Sequence, residues 1–225
     1  MIRPVEILIV RGRTMDHRDV NSFFISARNI EHNLRKKYPP TRSVDELVTE
    51  YLSNSAAPTK SLDLGCGSAL KNPFRAHEAY GTDLRDDIGP LIKQADLAVE
   101  SIPYPSNYFN YCTAFDFIEH IPRNYWINGK TRYCFIELMN EIHRILQPGG
   151  LFLHLTPAYP SLQAFQDPTH VNIITEDTFP LYFCEPDPLA KTIGYGFKGT
   201  FELVKQAWIW NNSLVGIMRA IKQEH

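Results

Sequence analysis

Two segments of the chain combine acidic and imidazole side chains at short spacing. AFDFIEHIPR at residues 114–123 contains Glu119 and His120, and AFQDPTHVNIIT at residues 164–175 contains Asp167 and His170. An imidazole beside a carboxylate is suited to removing a proton from a hydroxyl near neutral pH. The same side chains are ligands for divalent metal ions. These two segments are therefore the first candidates for an active site.

Of the two segments, the second is the better candidate for a catalytic base. Asp167-Pro168 starts a turn, and His170 follows in a polar loop rather than on the apolar face of a helix. We predict that His170 is the general base and that Asp167 orients it or binds the substrate. The alternative is that Asp167 only holds the turn while His170 bonds to a backbone carbonyl.

The first segment is predicted to contact substrate through His120, with ordering of its own loop as the alternative. Tyr125 and Trp126 follow a proline in a non-periodic stretch, and their aromatic faces could form a wall against a substrate; packing under a loop is the alternative. A metal site formed by Asp116, Glu119, Asp167 and His170 is a less favoured possibility, because the spacing of these residues is not dense. No metal ligand is assigned.

A glycine-rich stretch at residues 61–70, SLDLGCGSAL, is suited to holding a nucleotide. Apolar residues alternate around Asp63 as in a buried strand, and Gly65 and Gly67 then allow a turn that a ligand can approach closely. We expect a helix with free N–H groups to follow this turn. A dinucleotide fingerprint needs a third glycine three residues after the second, and that position is Leu70. The stretch therefore favours a nucleotide without a pyrophosphate.

Further acidic residues follow other predicted strands. AYGTDL at residues 79–84 ends a short strand at Asp83, which could accept hydrogen bonds from the hydroxyls of a ribose. Asp96 precedes a proline-rich turn, and Phe115–Asp116 end the next strand. In an open parallel sheet the ligand lies beyond the carboxyl ends of the strands. We therefore expect these acids and Gly65 to converge.

Taken together and in order, these residues resemble class I S-adenosylmethionine-dependent methyltransferases. The match covers residues 44–157 and, more loosely, the whole chain; it includes an "EH" pair at 119–120 and an "L.PGG" turn at 146–150. The "FD" that usually enters the fourth strand of the family is Phe109-Asn110 here. The resemblance implies S-adenosylmethionine as the cofactor. The cofactor-binding residues that it implies are Asp63, Gly65, Cys66, Gly67, Asp83 (ribose), Leu84, Asp96 and Leu97 (adenine), Phe115 and Asp116.

The resemblance also implies a fold and an activity. The fold is an α/β, Rossmann-like three-layer sandwich with a mostly parallel seven-stranded sheet and an antiparallel C-terminal strand. The activity is methyl transfer to a hydroxyl, or an amine, of a small or glycan-like acceptor, because the D-P-[ST]-H segment is similar to methyltransferases of bacterial surface-sugar pathways. The alternatives are a non-catalytic partner subunit of the same fold, or a methyltransferase acting on RNA or protein. A nicotinamide oxidoreductase is disfavoured by Leu70.

The composition indicates one α/β domain. With 225 residues, 44% apolar and 21% charged, the chain can bury a sizeable core. A net charge of −2 argues against a nucleic-acid partner. Four cysteines without C-x-x-C pairing favour a reduced, cytoplasmic protein, and the apolar run at residues 5–10 is too short to span a membrane. The oligomeric state cannot be inferred.

The expected organisation is a single methyltransferase domain over residues 1–225, in which residues 1–42 form an N-terminal extension or lid. A capping box at residues 43–46 should open a helix that runs to about residue 52. The tail should form two strands joined at Asn211-Asn212. The remaining predicted elements are helices near 20–38, 88–94, 131–146 and 175–182, and strands near 60–64, 79–83, 110–115 and 150–156.

Overall fold

The computed structural model describes residues 9–10, 13–14, 37–52, 57–85, 89–127, 129–210 and 212–222. The chain divides into two structural units, residues 1–38 and 39–225. In the first unit, β1 (Ile9–Val10) pairs antiparallel with β2 (Arg13–Thr14). The helix predicted for residues 20–38 lies outside the described residues except at its last two positions.

The second unit is built on an eight-stranded sheet. Its strands are β3 (Pro40–Thr41), β4 (Lys60–Leu64), β5 (Glu78–Asp83), β6 (Ile92–Gln94), β7 (Phe109–Phe115), β10 (Leu146–Pro157), β11 (Phe201–Ile209) and β12 (Ser213–Ala220). They lie in the order β3-β11-β12-β10-β7-β4-β5-β6. Neighbouring strands are parallel except that β12 runs antiparallel to both β10 and β11. This confirms the Rossmann-like α/β fold. The sheet has one more strand than the seven predicted, because β3 has only two residues and is too short to show the alternation of apolar and polar residues that identifies a strand.

Short helices and one small hairpin complete this unit. The hairpin pairs β8 (Tyr125–Ile127) with β9 (Lys130–Arg132). The N-cap half of the predicted capping box is confirmed, because Ser43 Oγ accepts from Glu46 N at 3.1 Å. The Glu46 carboxylate accepts from Arg42 N at 3.0 Å, one residue before the position that a capping box uses. The helices are α1 (Val44–Val48), α2 (Cys134–Ile145), α3 (Gln163–Gln166), α4 (Thr178–Phe183) and α5 (Leu189–Thr192), with 3₁₀ turns at Thr49–Tyr51 and Ile118–His120.

Both faces of the sheet are covered by apolar side chains. On one face, α1 and the loop around Phe74 pack against alternate residues of β7, β10 and β12, and Phe74 stacks on Tyr111 with ring centroids 4.5 Å apart. On the other face, His154 is fully buried and stacks on Phe179 at 3.9 Å. Burial lowers the pKa of His154 to about 3, so this imidazole is neutral and acts as an apolar ring.

The helix predicted near residues 88–94 is wrong. Ile92–Gln94 instead form the edge strand β6, which pairs in parallel with Gly81–Asp83. The reason is the Gly89-Pro90 dipeptide, because proline disfavours a helical conformation at the residue before it and lacks a donor of its own. Ile92 N donates to Gly89 O at 3.1 Å and closes a turn there.

The helix predicted after the glycine pair is also wrong, because residues 66–77 form turns and bends. Asn72-Pro73 interrupts any helix in this short connection, and the Asn72 amide bonds to both the N–H and the carbonyl of Ala76 at 2.9 Å. Leu70 packs against β5 at Gly81, where a β-carbon would lie 2.5 Å from Leu70 Cδ2. The glycine turn is therefore held by side chains rather than by the start of a helix.

Candidate active site

A cavity of about 280 Å³ lies beyond the carboxyl ends of β4, β5 and β7. Six of the ten predicted cofactor-binding residues line it, while Asp63, Cys66, Gly67 and Phe115 do not. The lining residues are Gly65, Thr82, Asp83, Leu84, Ala95, Asp96, Leu97, Ala98, Asp116, Phe117, His120 and Ile121. The parallel strands therefore bring the predicted residues together at one edge of the sheet.

Asp83 is the acidic group best prepared for a ligand in this cavity. Its Oδ2 accepts from Gly67 N at 2.8 Å, which fixes the carboxylate against the glycine turn. Its Oδ1 accepts from Arg85 N at 3.1 Å and from Arg85 Nε at 2.8 Å. The Arg85 guanidinium lowers the pKa of Asp83 to about 2, so the carboxylate is ionised and able to accept from hydroxyls.

Asp96 and two leucines form the opposite part of the cavity. Asp96 Oδ1 accepts from Ala98 N at 3.1 Å, and Leu97 is buried beside it. Leu84 is 65% exposed and gives an apolar surface at the cavity rim. Ala95 N donates to Asp83 O at 2.9 Å and joins this side to β5. A planar base fits between apolar surfaces of this kind.

Asp63 holds the glycine turn from behind rather than lining the cavity. It is 1% exposed; its Oδ2 accepts from Lys71 N at 2.9 Å, and its Oδ1 accepts from Thr113 Oγ1 at 2.8 Å. Burial raises the pKa of the Asp63 carboxyl to about 6. The side chain therefore ties β7 and the loop after β4 together while remaining costly to ionise.

We expect Asp63→Asn to remove a pH dependence of stability. The folded pKa of about 6 lies above the ordinary value of 3.8, so the folded chain binds the proton more tightly than the unfolded chain does. The contribution of Asp63 to the free energy of unfolding should therefore fall by about 3 kcal/mol between about pH 4 and pH 6 and stay lower above that range. The amide of the variant has the same shape and does not titrate. Urea unfolding of both proteins across this range measures the difference, and parallel curves would contradict the assignment.

Gly65 and Phe117 meet at the floor of the cavity. Gly65 has φ of +62°, and a β-carbon there would lie 2.3 Å from the Phe117 ring. Gly149 has φ of +74° with open space around it. Position 65 is therefore constrained by both backbone conformation and contact, whereas position 149 is constrained by backbone conformation alone.

Gly65→Ala should accordingly destabilise the protein more than Gly149→Ala. The second change costs about 1–2 kcal/mol for a left-handed alanine, and the first should add about 1–3 kcal/mol for displacing the Phe117 ring. Urea midpoints of the two variants give the comparison. Equal midpoints would mean that Phe117 moves aside freely.

The two acidic and imidazole segments meet at one end of this cavity. The Glu119 carbonyl accepts from Val171 N at 2.9 Å and from Asn172 N at 3.0 Å. The His120 and His170 rings then lie edge to face, with centroids 4.9 Å apart. His120 lines the cavity, and the side chain of His170 is 10% exposed behind it.

Hydrogen bonds fix which ring nitrogen of each imidazole carries a proton. Nδ1 of His170 lies 3.0 Å from Gln163 O, and a carbonyl only accepts, so this nitrogen donates. Thr169 Oγ1 donates to Asp167 Oδ1 at 2.6 Å and must therefore accept from His120 Nδ1 at 3.0 Å. In the neutral form of each ring, Nε2 is then the nitrogen that can accept a proton.

Asp167 is linked more directly to His120 than to His170. Its Oδ1 accepts from Thr169 N at 2.8 Å, which closes the turn, and the Thr169 bonds lower the pKa of its carboxyl. Its Oδ2 lies 4.0 Å from His170 Nε2, beyond hydrogen-bonding distance. The turn and the carbonyl bond that formed the alternative interpretation are thus both present, yet they leave Nε2 of His170 available.

Glu119 is a site residue that the sequence did not single out beyond the metal alternative. It is 1% exposed; Oε2 accepts from Thr156 Oγ1 at 2.7 Å, and Oε1 has no partner among the residues that the structure describes. Burial raises the pKa of Glu119 to about 7. The signal available in the sequence was an acid placed within an apolar stretch beside a histidine.

A second cavity of about 290 Å³ lies beside this cluster. Arg123 lines it and donates through Nε to Asn172 Oδ1 at 2.9 Å, which joins it to the histidine segment. Its aromatic lining comes from distant parts of the chain, so no local pattern could predict it. Tyr125 and Trp126 lie on the adjacent β8 and are 54% and 70% exposed. The lining residues are Arg123, Asn124, Tyr133, Phe135, Ile136, Thr178, Tyr182, Phe183 and Tyr195.

Comparison with known proteins identifies the class. The model of the methyltransferase domain family matches residues 30–183, more than half of the chain. The chain therefore belongs to this family and is a class I S-adenosylmethionine-dependent methyltransferase, with S-adenosylmethionine as its cofactor. The comparison with curated proteins gave no match.

Solved structures with low sequence identity share the fold. PH0226 from Pyrococcus horikoshii has a TM-score of 0.52 at 16% identity, over 79% of this chain and 89% of that one. BH2331 of Bacillus halodurans, a candidate methyltransferase, has a TM-score of 0.52 at 11% identity, over 80% and 99%. The [4+2]-cyclase SpnF has a TM-score of 0.51 at 13% identity, over 80% of each chain.

Among the described residues, no helix has the length and apolar character to cross a bilayer.

The residues of the first cavity fit this cofactor. An ionised carboxylate at Asp83 can accept from ribose hydroxyls, and Gly65 brings the main chain to the cavity surface. Leu84 and Leu97 offer apolar surface of the kind that an adenine ring requires. The Arg85 guanidinium bonds to the same carboxylate, so it would have to move for Asp83 to bind a ribose. The Arg85 side chain is 64% exposed and can turn outward.

Proposed function

We propose that this enzyme methylates a hydroxyl group of a small, glycan-like acceptor. The observation that carries the proposal is the pair of imidazoles at the end of the cofactor cavity, each with Nδ1–H committed and Nε2 available. A hydroxyl is a poor nucleophile unless its proton is removed as it is methylated, whereas a neutral amine can attack without first losing a proton. A prepared proton acceptor therefore favours a hydroxyl.

The lining of the first cavity supports the proposed cofactor half of the site. Asp83 binds the ribose, Leu84, Asp96 and Leu97 border the adenine, and Gly65 lies under the methionine end. Cys66, Gly67 and Asp63 support the glycine turn. Phe115 and Asp116, at the end of β7, close the methionine end of the site. When bound, the cofactor supplies an electrophilic methyl group, and the protein's part is to align the acceptor and exclude water.

His170 takes the proton of the acceptor hydroxyl at Nε2, and His120 orients the hydroxyl from the cavity wall. The carboxylate of Asp167, 4.0 Å from Nε2, stabilises the imidazolium that forms. The Gln163 carbonyl holds the ring through Nδ1, so Nε2 keeps one direction throughout.

The aromatic cavity is the proposed binding surface for the acceptor. Tyr133, Tyr182 and Tyr195 offer ring faces and hydroxyls together, which suits a sugar with apolar and polar sides. Exposed Tyr125 and Trp126 extend this wall. Arg123 connects the cavity to the histidine segment through Asn172.

A single methyltransferase domain over residues 1–225 is also part of the proposal, with residues 1–42 as its N-terminal extension. The family match, which begins at residue 30, supports it. A cytoplasmic location is supported by four buried cysteines, all unpaired and all in described positions.

The test is S-adenosylhomocysteine production with a panel of nucleotide sugars, glycans and matched amino sugars. Hydroxyl acceptors should give product with the wild type, and Trp126→Ala should raise KM while leaving cofactor binding intact. Product with amines alone would overturn the hydroxyl assignment. Product with RNA or protein alone would overturn the acceptor class.

A further inference from the structure

Three donor groups meet where the two segments join. A carboxylate oxygen of Glu119 and a ring nitrogen from each of His120 and His170 all lie within 4.8 Å of one another. Ligands bound cis on one ion at about 2.1 Å stand about 3 Å apart, so small side-chain rotations would complete the contact. No other group of this kind is found in the described part of the chain.

Each of these donors has the outer partner that a metal ligand needs. Nδ1–H of His170 donates to Gln163 O, and Nδ1–H of His120 donates to Thr169 Oγ1, which donates in turn to Asp167. Such bonds hold an imidazole in the tautomer that presents Nε2 to an ion. Outer bonds of this kind raise the basicity of the ligating nitrogen.

The carboxylate supplies an independent observation. Glu119 is 1% exposed, Thr156 holds Oε2, and Oε1 has no partner among the described residues. A buried oxygen without a hydrogen bond is costly, and a cation would satisfy it. Asp116 adds a further carboxylate at the nearby cavity wall.

We propose that Glu119, His120 and His170 bind a divalent first-row transition-metal ion, leaving positions open toward the cofactor cavity. Two imidazoles and one carboxylate suit Mn²⁺, Fe²⁺ or Zn²⁺ better than Mg²⁺, because Mg²⁺ prefers oxygen ligands throughout. Sequence reasoning placed Glu119 and His170 in such a site only as a less favoured alternative and did not include His120.

The role of the ion rests on the proposed function. Bound beside the cavity, the ion would coordinate the acceptor oxygen and lower the pKa of its hydroxyl. The proton would then leave to water, the oxygen–methyl bond would form, and the sulfur would keep the electron pair of the broken bond. Nε2 of His170 would be a ligand in this mode and no longer the base.

The experiment is calorimetric titration of the tag-free, metal-free protein with MnCl₂ and, separately, with MgCl₂. One Mn²⁺ should bind per chain, at least about tenfold more tightly than Mg²⁺. His120→Ala, His170→Ala and Glu119→Gln should each weaken Mn²⁺ binding by more than about tenfold, and Thr169→Val should weaken it by about tenfold through loss of the outer partner. His77→Ala is the matched control, because the ring of this exposed histidine bonds to Thr59 instead.

The outcomes separate the ion from the methyl transfer. Absence of Mn²⁺ binding, or equal binding by Glu119→Gln and the wild type, overturns the site; Glu119→Gln is nearly isosteric and keeps this test valid if a histidine variant fails to fold. S-adenosylhomocysteine is titrated into the same preparation without metal. If it binds and Mn²⁺ does not, the proposal of the ion fails and the methyltransferase assignment stands. Mn²⁺ binding without methylation of any hydroxyl keeps the site and removes the proposed acceptor.

Discussion

Replacing His170 with alanine should lower kcat by about 100-fold or more, with the affinity for S-adenosylhomocysteine unchanged. His170 does not line the first cavity, so we expect cofactor binding not to depend on it. In the two proposed modes, its Nε2 either takes the acceptor proton or holds the ion that acidifies the acceptor. In both cases the lost rate belongs to the transfer step rather than to cofactor binding.

The measurement is steady-state S-adenosylhomocysteine production at saturating cofactor, beside calorimetry of cofactor binding. His143→Gln is the matched control: His143 lies on α2 and contacts Ile221 O at 3.1 Å, away from the cavity. Added imidazole should restore part of the activity of His170→Ala and have no effect on the control. Full turnover by His170→Ala with cofactor bound would place the proton acceptor elsewhere.

Replacing Asp83 with asparagine should weaken S-adenosylhomocysteine binding by about 10- to 100-fold, the range for loss of a charged hydrogen-bond partner. The carboxylate accepts from Gly67 N and faces the cavity. An amide offers one acceptor oxygen where the ionised carboxyl offers two. The variant therefore loses either the bond to the glycine turn or a bond to the ribose.

Arg85→Ala distinguishes a ligand role for Asp83 from a structural one. Arg85 shares the Asp83 carboxylate in this structure, so its removal should leave cofactor affinity unchanged or raise it. Calorimetry with both variants gives the comparison. Equal losses of affinity in the two variants would mean that the Asp83–Arg85 pair supports the loop as a unit and that the ribose is bound elsewhere.

Six of the ten residues predicted to bind the cofactor line one cavity, because these residues lie at or just after the ends of strands. Gly65 and Asp116 directly follow β4 and β7, and Asp83 is the last residue of β5. Parallel strands bring such positions to one edge of the sheet. The two helices that were predicted wrongly share another cause. In both segments a residue followed by proline, Asn72-Pro73 or Gly89-Pro90, prevents the helix. The first helix was expected from the strand and glycine turn before it, and the second from apolar residues in the segment itself.

The acceptor half could be predicted only in part, since it depends on contacts between distant residues. One local segment predicts that Asp167 acts on His170. In the structure, Thr169 Oγ1 bonds to Asp167 and to His120 and so links Asp167 to the other histidine. Pairing of Val171 and Asn172 with the Glu119 carbonyl brings these segments together. No periodicity encodes that pairing. The aromatic cavity likewise draws on residues from 123 to 195.

The position of β12 in the sheet affects how the chain can fold while it is being synthesised. β12 follows every other strand of the sheet in sequence, yet it lies between β10 and β11 and pairs with both. On a ribosome, β11 has no neighbour toward β10 until residues 213–220 have emerged, and Leu153 and Leu155 lack their partners Ile217 and Val215. Such long-range pairing slows folding, and an unpaired strand edge exposed during synthesis invites aggregation. We therefore expect ribosome-bound chains that stop before residue 213 to recruit chaperones. The sheet should be completed only when β12 has left the ribosome and can insert between β10 and β11.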